Sequence, residues 1–206
     1  MKAALSFVVA LVLPFLSAPS FASLITVNPT SDGSLYTCPG CTVVQNDAYV
    51  LTSGYIQGAV KFSSADITAA ATSVLLTLNP YGLPLGGPTV DIYGYGTSIA
   101  TLDISDANAG AFLGTLTLPS NLGYGEDAYF DVTAFAKSIS APYLAFNLRS
   151  TGTDVFSSLE YNYGHPSQLL IQSVPEPRSM VLLLAGLVAA ATMKLKSRRP
   201  AAARVG

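Results

Sequence analysis

Two stretches of the sequence, residues 73–78 and 143–148, place a large apolar side chain at every second position. Successive side chains of a β-strand point to opposite faces, so each stretch would present one apolar face and one more polar face. Residues 89–93 repeat the pattern, with Asp91 on the outward face. A period of two is typical of half-buried strands, and it constrains this chain to a sheet-based fold.

Further strands are predicted between turns rich in Gly, Pro, Asn and Ser, at residues 48–52, 58–63, 128–132, 154–159 and 169–172. One short helix interrupts them, because an apolar stripe with helical spacing runs through Val132, Phe135, Ala136 and Ile139. Asp131 or Thr133 could cap its first turn. Short strands at this spacing predict an all-β fold, a jelly-roll-type β-sandwich with one short helix.

The two ends of the chain have a different composition. Residues 1–22 carry Lys2, an apolar core and a Ser-Phe-Ala sequence before Ser23, which is the pattern of a cleaved signal peptide. Near the other end, an uncharged apolar stretch is followed by five basic residues within 194–206. Residues 179–195 are therefore predicted to span the membrane before processing, with the C-terminus in the cytoplasm.

The C-terminal segment 173–206 begins with Val174, Pro175, Glu176 and Pro177, directly before the apolar stretch. This order of short motif, apolar stretch and basic tail resembles the PEP-CTERM sorting signal. The resemblance implies that an exosortase-type enzyme processes the chain near the motif. It also implies export by the secretory pathway, an inner-membrane stage, and a final place at the cell surface or in the extracellular matrix.

Between the two ends, residues 23–173 carry three basic and eleven acidic residues, a formal charge of −8. Nucleic-acid binding needs clustered positive charge, so no nucleic-acid partner is expected. Within this body, residues 23–46 are predicted to be an extended lead-in and residues 47–172 the β-sandwich domain.

A second resemblance covers most of residues 47–172. The order of strand-like segments, from 46–50 through 58–63, 71–78, 90–94, 129–135 and 144–148 to Glu160 and 166–171, resembles the DNRLRE or disaggregatase-related domain. That family implies a jelly-roll module of secreted proteins, some of which bind polysaccharide.

Cys38 and Cys41 are the two cysteines of the chain, and they flank Pro39 and Gly40. In an exported protein the first interpretation is an intramolecular disulfide across this turn. The alternative is a thiol-disulfide redox centre, whose first cysteine normally begins a helix. A zinc site would need four ligands, and the only histidine, His165, is remote in sequence. We therefore expect no metal site here.

No catalytic constellation is evident, and the chain is not predicted to be an enzyme. His165 lies in a turn-like stretch and is interpreted as a loop residue, and no nucleophile-elbow sequence is present. Glu126 and Asp127 are adjacent, so on a strand they would point to opposite faces and could not form the carboxylate pair of a glycosidase. No cofactor is expected, although calcium bound by Asp91 or by acidic residues in 126–131 stays open.

Tyrosine is the remaining signal, with eleven in the chain. Tyrosine rings on loops can stack on sugars, although tyrosines also occur naturally on sandwich strands. The possible glycan contacts are Tyr81, Tyr95, Tyr124, Tyr161 and Tyr163. The expected function is a non-catalytic structural or adhesive role in the exopolysaccharide layer, with that polysaccharide or another surface glycan as partner. The alternatives are a specific carbohydrate-binding module and, third, a redox protein using Cys38 and Cys41.

Overall fold

The computed structural model describes residues 22–40, 43–45, 49–81, 89–119, 125–160, 164–174 and Gly186. Ser23–Ser173 forms one compact unit. The rest of the chain forms a separate unit, nearly all of which lies outside the described residues. The predicted signal peptide and the predicted span 179–195 fall there. Within the described residues, no helix has the length and apolar character needed to cross a membrane.

The described residues form twelve strands and one α-helix within Ser23–Ser173. The strands are β1 Ser23–Val27, β2 Ser31–Tyr36, β3 Val43–Gln45, β4 Tyr49–Thr52, β5 Ile56–Ser63, β6 Ala71–Leu78, β7 Thr89–Thr97, β8 Ala111–Thr117, β9 Ala128–Asp131, β10 Tyr143–Arg149, β11 Asp154–Ser157 and β12 Gln168–Ser173. The helix α1 covers Thr133–Ser138, and a 3-10 turn covers Ile104–Asp106.

The strands form two large antiparallel sheets and one small one. The larger sheet has the order β3-β2-β5-β10-β7-β8, and the four-stranded sheet has the order β1-β12-β6-β9. A two-stranded ribbon, β4 with β11, lies beside the end of β6 through a bridge between Pro80 and Phe156. The prediction of an all-β, sandwich-like fold with one short helix is confirmed.

The two large sheets share one hydrophobic core, to which each contributes the apolar face of its strands. The alternating residues predicted to point inward are all buried there: Val74, Leu76 and Leu78 of β6, and Leu144, Phe146 and Leu148 of β10. Burying one such side chain stabilises the fold by roughly 1.5–3 kcal/mol. The helix α1 packs on this core through Ala136, and its first N–H, of Thr133, donates to Asp131 Oδ1 at 2.8 Å.

The prediction that residues 23–46 form an extended lead-in is wrong. This segment contributes β1 to the four-stranded sheet and β2 and β3 to the six-stranded sheet, so the domain begins at Ser23. β2 shows no apolar alternation because Asp32, Gly33 and Ser34 occupy its buried centre. Strand β8 was also not predicted, because its side chains are mostly exposed.

The six-stranded sheet is buried on its outer face as well. The segment between β7 and β8, residues 98–110, lies across this face, and Leu102 packs there against Leu35 and Ala59. Strand β5 is consequently buried on both sides, with Lys61 buried under the covering segment.

Candidate functional site

The exposed feature that best fits the predicted glycan contacts is a corner of the domain beyond the end of β6. We call it the Tyr81 corner and define it by Tyr49, Asn79, Tyr81, Asp127 and His165. Two backbone hydrogen bonds fix its chain path, from Tyr81 N to Val155 O at 2.8 Å and from Ser157 N to Asn79 O at 2.9 Å. Because β11 pairs with β4, these bonds bring Tyr81 beside Tyr49.

Tyr81 keeps 38% of its surface exposed, and its ring lies against that of Tyr49. The two ring centroids are 4.7 Å apart, with the planes tilted by 46°. Tilted aromatic pairs at this distance attract each other beyond the area that they bury. The pair therefore presents a partly exposed aromatic surface held in a fixed orientation.

A buried amide organises the polar side of the corner. Asn79 is only 1% exposed, and its Nδ2 donates to Asp127 Oδ1 at 3.0 Å. Its Oδ1 accepts from Ser157 Oγ at 3.2 Å. Asn79 thus connects the end of β6 to β11 and to the residues before β9, so the polar groups of the corner are satisfied internally.

His165 completes the corner, and its contact with Asp127 is not predictable from the sequence. Its Nε2 lies 3.3 Å from Asp127 Oδ2, and its Nδ1 lies 2.9 Å from Pro166 O. A neutral imidazole has one N–H and can donate to one of these two acceptors, whereas an imidazolium can donate to both. The Ser157 hydroxyl, meanwhile, bonds to Asn79 and not to His165.

Tyr95, another predicted glycan contact, has its hydroxyl engaged in the interior. It donates to Asp106 Oδ1 at 2.8 Å, and burial, followed by this contact, raises the pKa of the phenol. Asp106 Oδ2 lies 2.8 Å from Lys61 Nζ, which also donates to Thr101 O at 2.8 Å. Tyr95 therefore helps to hold the segment 98–110 on the sheet, a role that uses the hydroxyl a sugar would need.

The other predicted glycan contacts, Tyr124, Tyr161 and Tyr163, lie outside the described residues, as do Pro175, Glu176 and Pro177 of the sorting motif. Val174 follows β12 directly.

Cys38 lies in the turn after β2 and is not a free thiol. Its predicted partner Cys41 lies outside the described residues, so their pairing stays a prediction. The chain turns through Pro39 and Gly40, the latter with φ of 81°, so no helix begins at Cys38.

The acidic residues considered for calcium are engaged separately. Asp91 accepts from the Thr115 hydroxyl at 2.6 Å, Asp131 accepts from Thr133 N at 2.8 Å, and Asp127 contacts Asn79 and His165. In the described part of the chain, no three His, Cys, Asp or Glu side chains converge as a metal site would require.

Two buried carboxyl groups were not singled out from the sequence. Burial, reinforced by nearby Glu160, raises the pKa of Asp32 to about 7, even though Leu159 N donates to its Oδ2 at 3.0 Å. Burial likewise raises the pKa of Asp154. The nearby Ser150 hydroxyl acts in the opposite direction on that pKa, although neither carboxylate oxygen of Asp154 has a hydrogen bond of regular geometry. Both groups are more easily buried as neutral acids.

A cation–aromatic contact occupies the outer face of the six-stranded sheet. The Arg149 guanidinium carbon lies 3.6 Å from the centroid of Tyr93, and the guanidinium donates to Asn147 Oδ1 at 2.9 Å and to Ala109 O at 3.1 Å. Arg149 thus anchors the end of the covering segment.

No protein-family model matches the chain, and a search of curated proteins finds no similar sequence.

Proposed function

We propose that this chain is an exported, exosortase-sorted surface or matrix protein with a non-catalytic structural or adhesive role in the exopolysaccharide layer. The observation that carries the adhesive role is the Tyr49–Tyr81 pair, an oriented and partly exposed aromatic surface. Sugar rings present apolar C–H faces that stack on such surfaces. The partner proposed is the exopolysaccharide or another surface glycan.

The non-catalytic part of the proposal is supported by the hydrogen bonds of the corner. Asn79 accepts the Ser157 hydroxyl, and both ring nitrogens of His165 face acceptors. A hydrolytic site needs a nucleophile that is hydrogen-bonded to a base, whereas the Ser157 hydroxyl of this corner donates to the Asn79 amide oxygen.

The adhesive role is tested by retention on polysaccharide extracted from the producing organism. We expect Tyr81→Ala to reduce retention of the protein by up to roughly tenfold, since losing an aromatic stacking contact costs about 0.5–1.5 kcal/mol. Tyr55→Ala is the matched control, because Tyr55 is 65% exposed but lies in the β4–β5 turn. Equal retention of both variants would contradict the assignment of the Tyr81 corner.

A specific carbohydrate-binding module is the second candidate, supported by the same aromatic pair. It differs from general adhesion in selectivity: one oligosaccharide should compete with the polysaccharide for the corner at low concentration, while unrelated sugars should not. A redox role for Cys38 and Cys41 is the third. It has less support, because Cys38 lies in a turn and not at the start of a helix. It requires activity that Cys38→Ser abolishes.

The export and sorting part rests on the termini, and we propose processing near Val174 to Pro177. Replacing Pro175, Glu176 and Pro177 with alanine should leave a larger, membrane-retained form. A mutant that reaches the surface with unchanged mass would contradict this step.

We further propose that the sandwich is a jelly-roll variant, because strands distant in sequence, such as β5 with β10 and β6 with β12, are neighbours within its sheets.

A further inference from the structure

The outer strands of the two large sheets differ in how they are protected. Edge strands expose unpaired backbone groups, and proteins usually blunt them by shortness, bulges or charge. β3 has only three residues. The ladder between β7 and β8 shifts register at Ile92/Tyr93. β9 has four residues and ends in Asp131. Each of these three edge strands is therefore protected by shortness, a bulge or a charge.

β1 carries none of them. It has five residues, Ser-Leu-Ile-Thr-Val, with no charge, no proline and no glycine. Its five-residue ladder with β12 is regular, and β12 is its only partner among the described strands. Leu24 is 67% exposed and Ile25 40% exposed, on opposite faces of the strand. Both faces of this edge are therefore apolar and accessible.

A row of paired apolar residues on the core-facing side of the four-stranded sheet continues without interruption to β1. Val74 of β6 pairs with Ile171 of β12, and Ile171 pairs with Ile25 of β1. Val74 and Ile171 are buried in the core, whereas Ile25 ends the row partly exposed. A further strand placed beside β1 would cover Ile25 with the next member of the row.

We propose that β1 pairs antiparallel with β1 of a second copy of this chain, joining two four-stranded sheets into one of eight strands. Centred on Ile25, this pairing places Ile25 opposite Ile25, Leu24 opposite Thr26 and Ser23 opposite Val27. A twofold contact requires such a self-complementary surface. The strand brings no like charges together, and its β-branched residues favour cross-strand pairs.

The interface is small, since it consists of one five-residue ladder and its side chains, so it belongs to the weak class of contacts. A high local concentration of copies in one layer would favour it by mass action. The pairing does not require glycan binding, so its failure would leave the proposed adhesive role untouched.

The first test is the oligomeric state of the purified exported protein over a concentration series, by sedimentation. We expect a reversible dimer whose dissociation constant rises about tenfold or more in Leu24→Lys, because an edge lysine opposes strand addition. Tyr129→Lys is the matched control: Tyr129 is 53% exposed on β9, the opposite edge of the same sheet, and its change should leave the dimer intact. A wild-type protein that is monomeric at every concentration would overturn the proposal.

The second test determines which residues of the two paired β1 strands lie opposite each other. Directly opposed residues of antiparallel strands have Cα atoms about 4.5–5.5 Å apart, within disulfide range. Ile25→Cys should therefore give covalent dimers under mild oxidation, and Tyr129→Cys should not. Equal dimer yields from the two variants would overturn the β1 pairing. So would covalent dimers of Tyr129→Cys alone.

Discussion

Lys61 and Asp106 form an ion pair inside the outer layer of the sandwich, with Nζ 2.8 Å from Oδ2 and side-chain exposures of 1% and 4%. The carboxylate also accepts from Asp103 N at 2.7 Å, and the Nδ2 of Asn147 donates to the backbone carbonyl of Asp106 at 3.0 Å. The pair connects the middle of β5 to the 3-10 turn of the covering segment. It fixes that segment on a sheet that would otherwise present its outer face to solvent.

Breaking this pair from one side should destabilise the protein strongly. Lys61→Met leaves Asp106 buried without its cation, and a charge left so costs about 3–5 kcal/mol. Urea unfolding of the variant measures this change in the free energy of unfolding. Lys137→Met is the control, because Lys137 is exposed on α1, and its effect should stay within about 0.5 kcal/mol. The double variant Lys61→Met/Asp106→Asn should recover part of the loss. Additive losses would contradict direct coupling between the two residues.

Stability should fall as the pH rises toward neutrality. Asp32 has a folded-state pKa of about 7, above its ordinary value of 3.8, so between these values the folded protein binds more protons than the unfolded chain. Its contribution is fully present below about pH 4 and is lost as the pH rises through 7. The shift corresponds to about 4 kcal/mol at most. Burial moves Asp154 in the same direction.

Urea unfolding at several pH values tests this linkage. Asp32→Asn should flatten the decline in the free energy of unfolding between pH 4 and pH 7. Asp66→Asn is the control, since Asp66 is exposed, and it should keep the wild-type slope. An Asp32→Asn profile that parallels the wild type would contradict the assignment.

Gly94 should not tolerate a side chain. A Cβ there would lie 2.7 Å from Leu113 Cδ1 and from Phe135 Cζ, closer than real Cβ atoms come to carbon. The Phe135 ring is itself packed against Phe146, with centroids 5.6 Å apart, so it has little room to move. We expect Gly94→Ala to cost about 1–3 kcal/mol in thermal or urea unfolding. Gly54→Ala, where a Cβ meets nothing within 4 Å, should be close to neutral.

Asn79 should prove to be the organising residue of the Tyr81 corner. Asn79→Ala leaves the buried Ser157 hydroxyl without this partner, which costs about 1–3 kcal/mol, and it removes one contact of the partly buried Asp127. Glycan retention should fall as well, because the chain path that positions Tyr81 starts here. Asn28→Ala is the control, because it removes a side-chain hydrogen bond, from Gln168 Nε2 to Asn28 Oδ1, that is exposed to solvent. If Asn79→Ala leaves glycan retention unchanged, the result contradicts the assignment of adhesion to the Tyr81 corner.

The sequence predicted the core because burial on one face forces alternation, as in Val74, Leu76 and Leu78. The same logic failed for β2, since Asp32 and Ser34 are polar residues in a buried strand and break the pattern that signals one. Their burial becomes visible only when the β4–β11 ribbon is in place. Ser34 Oγ then accepts from Leu51 N at 2.9 Å.

The site was harder to predict for a related reason. Lys61 alternates with Val60 and Phe62, a pattern that is typical of a solvent-facing residue and does not indicate a buried ion pair. Its partner Asp106 lies in a segment without periodicity. His165 and Asp127 likewise meet only through the packing of two loops. Tyr81 stays a candidate glycan contact, and 38% of its surface is exposed just beyond the end of β6. Tyr95 could not be distinguished from Tyr81, because the local sequence does not show which group a tyrosine hydroxyl binds.

The most direct test of the proposed function is the retention of the purified exported protein on the producing organism's own exopolysaccharide, with and without calcium. We predict saturable retention that is the same with and without calcium, because the proposed contact is ring stacking on the Tyr49–Tyr81 pair. Retention that requires calcium would assign the contact to another site. No retention in either condition would contradict an adhesive role toward this polysaccharide.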